Sequence, residues 1–268
     1  MIYVHATVSQ GRRDAIAAYD ALVIEVQGTY DDAVRRAADD AQRNGWNVIS
    51  DTSYEGYTDV PRYVMQGYGI IVDEVLDQIS GGPLPTHVFV QGGVGGLAAS
   101  ICAYLWERFG DRAPAFYVAE PERARCIQLS AEAGTPTADH GSLDTIMAGL
   151  ACGEVSLLAW SILKPGVNGF LTITDEAAAE TMRILAEGRY GDQPIVAGES
   201  AVAGLAASLH VAGDATSRAA ISLDENSVVL VIGTEGATDP VVYEQYVGRP
   251  AEQVLPNWLA DRQLELSK

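Results

Sequence analysis

From His87 to Ser100 the chain reads HVFVQGGVGGLAAS, a short apolar run followed by four glycines around Val94 and then small residues that start a helical pattern. A strand that turns through glycines into a helix is the most restrictive instruction in this sequence. Small residues let backbone N–H groups approach an anion at a helix N-terminus, so the turn suits a phosphate ester. The turn does not by itself say whose phosphate. From Gly93 the letters Gly-Val-Gly-Gly-Leu-Ala also satisfy the dinucleotide pattern G-x-G-x-x-G/A. Glu120, after the next strand, stands at a spacing suited to a ribose hydroxyl. A third reading is a turn that serves only close helix–strand packing.

The rest of the chain alternates strand and helix. MIYVHATV is short, β-branched and apolar, GRRDAIAAYD carries apolar residues at helical spacing, and ALVIEV gives a second strand. TYDDAVRRAADDAQRNG predicts a helix with Thr29 as N-cap, acids in its first turn and Gly45 as its stop, and WNVIS predicts a third strand. DTSYEGYTDVPRY is a loop rich in Tyr, Asp, Gly and Pro, and a domain boundary is expected there, separating residues 1–50 from 51–268. Beyond it, VMQGYGIIVDEVLDQI reads as a helix, THVFVQ as a strand, AASICAYLWERF as a helix and AFYVAE as a strand. DEAAAETMRILAEG and SAVAGLAASLHVAG follow as helices, and SVVLVIGTEG as a final buried strand. Such alternation indicates βαβ units with right-handed crossovers, hence an α/β fold: a large parallel twisted sheet flanked by helices, beside a smaller sheet.

Composition narrows the function classes. The formal net charge is -19, from 36 acidic against 17 basic residues, which argues against nucleic-acid or anionic-membrane partners that need Lys and Arg to neutralise phosphates. Cys102, Cys126 and Cys152 have no C-x-x-C spacing, and His5, His87, His140 and His210 are isolated, so no metal is expected. Cys126 and Cys152 are candidates to pair in space, but buried thiols in a reducing compartment are the preferred reading. No secretory h-region opens the chain and no uncharged apolar run reaches about 18 residues, so a cytoplasmic location is expected.

Five stretches together resemble one family. DTSYEGYTDVPRYVMQGYGIIVDEVLDQI, THVFVQGGVGGLAAS, IMAGLACGEVSLLAWSIL, VAGESAVAGLAASL and VLVIGTEGATDP stand in the order and spacing found in the diaminopropionate ammonia-lyases. These are pyridoxal-phosphate enzymes of the tryptophan-synthase-β fold type, also called fold type II, and the resemblance spans roughly residues 1 to 250. It implies that Gly92, Gly93, Val94, Gly95 and Gly96 hold the phosphate of pyridoxal 5'-phosphate. It implies that Asp51 faces an amino-acid substrate's amine, and charge complementarity supports this, with Glu55 and Glu154 as further carboxylates able to orient ammonium groups. An Asx-type turn or a helix cap at a strand end is the alternative role for Asp51. Glu199 and Ser200 resemble the segment beside the cofactor ring, or else cap a helix. Thr234 and Glu235 resemble the turn that meets the pyridine nitrogen. One departure is Gly233, where much of the fold type has a serine bonded to that nitrogen; either Thr234 substitutes or the nitrogen lacks this partner.

The family reaction that the resemblance implies is α,β-elimination from 2,3-diaminopropionate to pyruvate and ammonia. Pyridoxal enzymes need a lysine for the Schiff base and for moving the α-proton. In the family that lysine lies upstream of the strand matching IYVHATV, together with an asparagine-bearing turn at the cofactor's 3-hydroxyl. Here the lysines are Lys164, in SILKPGVNG, and Lys268. Neither matches the family's Schiff-base position, and Lys164 reads as a surface residue before a proline turn. The expectation is therefore an N-terminally truncated form, with residues 1–50 the C-terminal part of the small domain and 51–268 the large phosphate-binding domain. Its expected partner is either a second copy in a homodimer or a lysine-bearing N-terminal chain. A non-catalytic or split-enzyme subunit contributing half of the cofactor site is the alternative. A dinucleotide-binding oxidoreductase ranks below both, because the glycine turn follows at least three expected strands and no catalytic His or Tyr-x-x-x-Lys pair accompanies it.

Overall fold

The computed structural model describes residues 1–255. Lys268 lies outside them. Near the N-terminus, strand β1 (Ile2–His5) and strand β2 (Val23–Val26) pair in parallel, with Ile2 opposite Val23 and His5 opposite Val26, joined through helix α1 (Gln10–Ala17). Helix α2 (Tyr30–Asn44) starts and stops as its sequence dictates. Thr29 accepts the Asp32 N–H, the Asp32 carboxylate accepts the Thr29 N–H, and Gly45 closes the helix at φ 68°.

WNVIS does not become a third strand. Residues 46–50 pair with no strand. The Tyr57 hydroxyl takes their backbone groups instead, donating to Val48 O at 2.9 Å and accepting from Ser50 N at 3.2 Å. Backbone groups satisfied by a side chain no longer drive ladder formation. The small sheet is thus two-stranded.

The larger sheet has four parallel strands. It is entered through helix α3 (Asp59–Gln78), followed by β3 (His87–Gln91), α4 (Gly96–Phe109), β4 (Ala115–Pro121), α5 (Cys126–Ala133), α6 (Leu157–Gly166), β5 (Gly169–Ile173), α7 (Asp175–Glu187), α8 (Ala203–Gly213), α9 (Ala215–Ala220), β6 (Val229–Val231) and α10 (Pro240–Val247). The strand order is β5-β4-β3-β6, so β3 and β4 are central. Side-chain alternation along β3 sends Val88 and Val90 into a core with Ile101, Leu105 and Leu163 on one face. Phe89 joins Met182, Ala203 and Ala207 on the other. Helices on both faces of a parallel sheet make this the expected α/β architecture. On the second face α8 lies so close to β3 that a Cβ at Gly204 would sit 2.5 Å from the Phe89 carbonyl oxygen, which only glycine avoids.

Three expectations change. SVVLVIGTEG contributes only the edge strand β6, with Val229 40% exposed, because it pairs with β3 alone and leaves the sheet after Val231. The side chain of Gln91 replaces the lost ladder by donating to Ile232 O at 2.9 Å. Glu120 meets no ribose site. It is fully buried, and its two oxygens accept the N–H groups of Ile127 and Gln128, each at 2.8 Å, at the start of α5. The helices α3 and α4 also begin earlier than their apolar pattern, at Asp59 and Gly96.

Burial pushes the Glu120 carboxyl up, to about 8, against those two donors, which favour the carboxylate. The folded chain therefore holds this proton where the unfolded chain has lost it. Stability is highest below the unfolded value of about 4.5 and falls as pH rises toward about 8. Thermal unfolding across that range should show a declining midpoint, and Glu120→Gln should flatten the decline; a parallel slope in both proteins would refute the assignment to Glu120.

Candidate functional site

A cavity of about 580 Å³ opens at the C-terminal end of β3, the edge where parallel sheets place their ligands. One wall is the glycine loop itself. Gly95 adopts φ +93° and ends the turn, and Gly96 begins α4. The first intrahelical acceptor is engaged by the Ala99 N–H, which reaches Gly95 O at 2.9 Å, so the N–H groups of Gly96, Leu97 and Ala98 have no acceptor within the helix. Partial positive charge from the helix dipole collects at the same end.

The loop has no spare room around it. A Cβ at Gly95 would stand 3.0 Å from Leu163 Cδ1, and one at Gly93 would stand 3.2 Å from both Cys152 Sγ and Gly149 O. A Cβ at Gly96 would lie 3.2 Å from Asp51 Oδ2. Bare backbone is thus enforced on the cavity side, and the crowded positions make a cradle that fits a phosphate monoester.

Asp51 lines this cavity, and burial raises its carboxyl above the ordinary range even though the Tyr68 hydroxyl donates to it at 3.4 Å. Burial and the neighbouring Asp51 push the Tyr68 phenol up to about 12, so it remains a donor at neutral pH. Thr234 also lines the cavity and accepts from Gln91 Nε2 at 3.2 Å, which leaves its own hydroxyl proton to donate elsewhere. Ser200 and Glu235 complete that side. Ser200 Oγ accepts the Gly149 N–H, and Glu235 accepts the Ser200 N–H, both at 2.9 Å.

Among the residues singled out by sequence, Asp51, Gly93, Val94, Gly95, Gly96, Ser200, Thr234 and Glu235 come together around one cavity. Gly92 and Glu199 do not line it. Gly92 lies beneath the loop, where a Cβ would be 2.7 Å from both Ile127 and Val118, and Glu199 is bonded to Arg12. Glu55 and Glu154 are exposed, with Glu154 paired to Arg35 at 2.7 Å. A Cβ at Gly233 would meet only Ala201 at 3.9 Å, so a serine there would fit. The three cysteines are free and buried. Cys126 donates to Gly93 O at 3.5 Å, and Cys152 faces the loop from the cavity wall; burial pushes both thiols up, which keeps them protonated.

Tyr30, Tyr68 and Gln91 line the cavity without having been anticipated. For Gln91 a signal existed: it is the amide that ends the buried strand β3, directly after the apolar run Val88–Val90. The tyrosines carried no such signal, because their place depends on how α2 and α3 pack.

A backbone phosphate cradle at the edge of a doubly wound sheet, with a half-buried carboxyl group beside it, defines an α/β protein that holds a phosphorylated small molecule. The chain belongs to the pyridoxal-phosphate dependent enzyme family, whose pattern it matches over residues 1–234. It is 39% identical over 261 residues to diaminopropionate ammonia-lyase from Escherichia coli strain K12, an alignment that covers 96% of this chain and 65% of that protein. The Salmonella typhimurium enzyme of the same name is 40% identical over 235 residues, covering 83% of this chain and 57% of its own length. The crystal structure of the Escherichia coli enzyme in complex with D-serine superposes with a TM-score of 0.86 at 36% identity, over 95% of this chain and 65% of that one. This chain thus spans 57% to 65% of the length of these relatives. Pyridoxal phosphate is accordingly the phosphate ester for this cradle, and the enforced glycines and the N–H groups without an acceptor in their own helix fit its monoester.

Proposed function

We propose that this chain carries the phosphate-binding part of a pyridoxal-phosphate-dependent ammonia-lyase that converts 2,3-diaminopropionate to pyruvate and ammonia. The observation that carries the reading is the meeting of the glycine loop and Asp51 in one cavity, with Gly96 directly against the Asp51 carboxyl. Gly93 to Gly96 would hold the phosphate, with Gly92 packing the loop from below. Asp51 would bind and orient a substrate ammonium, and the Thr234 hydroxyl would donate at the ring edge. Glu199 acts behind that edge. When bound, pyridoxal phosphate supplies the electron sink that makes an α-proton acidic. The chain's own contribution is to seat the phosphate, exclude water with the apolar wall of Ile71 and Leu150, and hold the amine.

We place the boundary between the small and large units at residues 50/51 and the protein in the cytoplasm, as a homodimer or with a lysine-bearing partner chain. Among the described residues no helix is long and apolar enough to cross a membrane. Saturable binding of pyridoxal phosphate with much weaker binding of unphosphorylated pyridoxal is the expected result. Binding of NADH in its place would sink the proposal.

A specific observation favours the second reading, a subunit that contributes part of a cofactor site without turnover of its own. Lys164 sits at the end of α6, exposed, donating to Gly134 O at 2.8 Å, and is not among the cavity-lining residues. Borohydride treatment of the chain with pyridoxal phosphate should leave Lys164 unlabelled by mass spectrometry, while the phosphate-dependent binding persists. Stoichiometric labelling at Lys164 would overturn this account of the lysine. Pyruvate release by the chain alone, without a lysine-bearing partner, would rule out the non-catalytic reading.

A further inference from the structure

Helix α1 buries none of its own residues, yet its first turn is held against loops of the larger unit. Arg12 Nη2 donates to Glu199 Oε1 at 2.5 Å and also to Glu235 Oε1. Alongside, a Cβ at Gly11 would stand 2.9 Å from Asp239 Cγ, so only glycine permits this approach. Gly11 and Arg12 thereby dock onto acids from two separate segments, residues 199 and 235–239.

These contacts continue to the cavity. The second oxygen of Glu235 accepts the Ser200 N–H, and the Ser200 hydroxyl accepts the Gly149 N–H. Ser200, Gly149, Thr234 and Glu235 are all wall residues. The side chains of Glu199 and Glu235 are only 5% and 12% exposed, and both rest on the same nitrogen. Two carboxylates this close and this buried repel unless a cation sits between them. Burial and the nearby Glu235 raise the Glu199 carboxyl, while burial works against the Arg12 charge and the two acids outweigh it.

We infer that Arg12 is a positioning residue for the cavity: its guanidinium joins Glu199 and Glu235 and so fixes the Ser200 and Thr234–Glu235 segments where the ring end of a cofactor would rest. The significance for the cofactor rests on the function proposed above; the positioning itself does not. Removing the cation should release the wall by repulsion between the acids, and removing one of the acids as well should restore it.

Amide hydrogen exchange on the full chain reads this directly. In Arg12→Ala, the Ser200 amide should exchange at least tenfold faster than in the unchanged protein, while Phe89 and Val118 in the central sheet keep their rates. In Arg12→Ala with Glu199→Gln, the Ser200 rate should return to within about threefold. A simple loss of packing would not be repaired by the second substitution. Unchanged Ser200 exchange in Arg12→Ala, or no recovery in the double variant, overturns the inference. If the central amides also lose protection, Arg12→Lys carries the test, since lysine keeps the charge without the guanidinium; Ser200 should again accelerate, and an unchanged rate would count against the role of the guanidinium. Affinity for pyridoxal phosphate should fall and recover in step. If the unchanged protein fails to bind pyridoxal phosphate, the proposed function fails, and the exchange rates still decide the role of Arg12.

Discussion

Gly95→Ala should abolish tight binding of pyridoxal phosphate and strongly destabilise the chain, whereas Gly45→Ala should cost only its backbone strain and leave binding untouched. Both glycines have positive φ, +93° and +68°, so both replacements incur the strain of a left-handed L-residue, on the order of 1–2 kcal/mol. Their surroundings differ. Nothing lies within 4 Å of a Cβ at Gly45, but one at Gly95 would sit 3.0 Å from Leu163 Cδ1 and 3.3 Å from Ala159 Cβ. Leu163 and Ala159 are fully buried in the core under α4 and have nowhere to retreat. Overpacking of that kind adds roughly 1–3 kcal/mol. The turn can relieve the clash only by moving, and moving it displaces the N–H groups of Gly96 and Leu97. Urea unfolding and a cofactor titration on the two variants measure both effects. Equal losses of affinity would show that the loop geometry is not what binds.

How much of this was legible in the sequence depended on the range of the interactions involved. The α2 helix was readable to its ends because Thr29, Asp32 and Gly45 act within a turn of their own backbone. The glycine loop was readable for the same reason; the resemblance gave the order of Asp51 and Thr234, and the fold brings both to the loop's cavity. WNVIS failed because a strand exists only by pairing, and the partner that satisfied Val48 and Ser50 was a tyrosine hydroxyl several residues later. Glu120 failed in the opposite sense: its spacing suited a ribose, but its carboxyl group caps α5. The role of Arg12 was invisible because the contacts are 187 and 223 residues away in the chain. Contacts within one turn of helix were legible, while a side chain that meets backbone seven or more residues away, and the pairing of distant charges, required the fold.

Asp51→Asn should weaken binding of 2,3-diaminopropionate to the cofactor-loaded chain while making the chain more stable at neutral pH. A charge-assisted hydrogen bond is worth about 1.5–3 kcal/mol, so the affinity loss should be roughly ten- to hundredfold. The opposite sign for stability follows from burial. Desolvation raises the Asp51 carboxyl in the folded chain, so the folded state holds the proton at pH values where the unfolded state has released it. Stability from this group is present below the unfolded value of about 3.9 and is lost as pH rises through the folded one. Asparagine carries no such penalty and retains a carbonyl to accept from Tyr68. The same titration governs the ligand: the diamine should bind more tightly as pH rises through the Asp51 value, because only the carboxylate attracts ammonium, and the Asn variant should lack that rise. Calorimetric titrations and thermal unfolding across the acid-to-neutral range give both curves. A half-buried acid kept at the expense of stability, with no Lys or Arg among the described residues that line the cavity, fits the proposed cationic ligand. If Asn matched Asp in both affinity and pH dependence, Asp51 would be a structural turn residue and the substrate's amine would be held elsewhere.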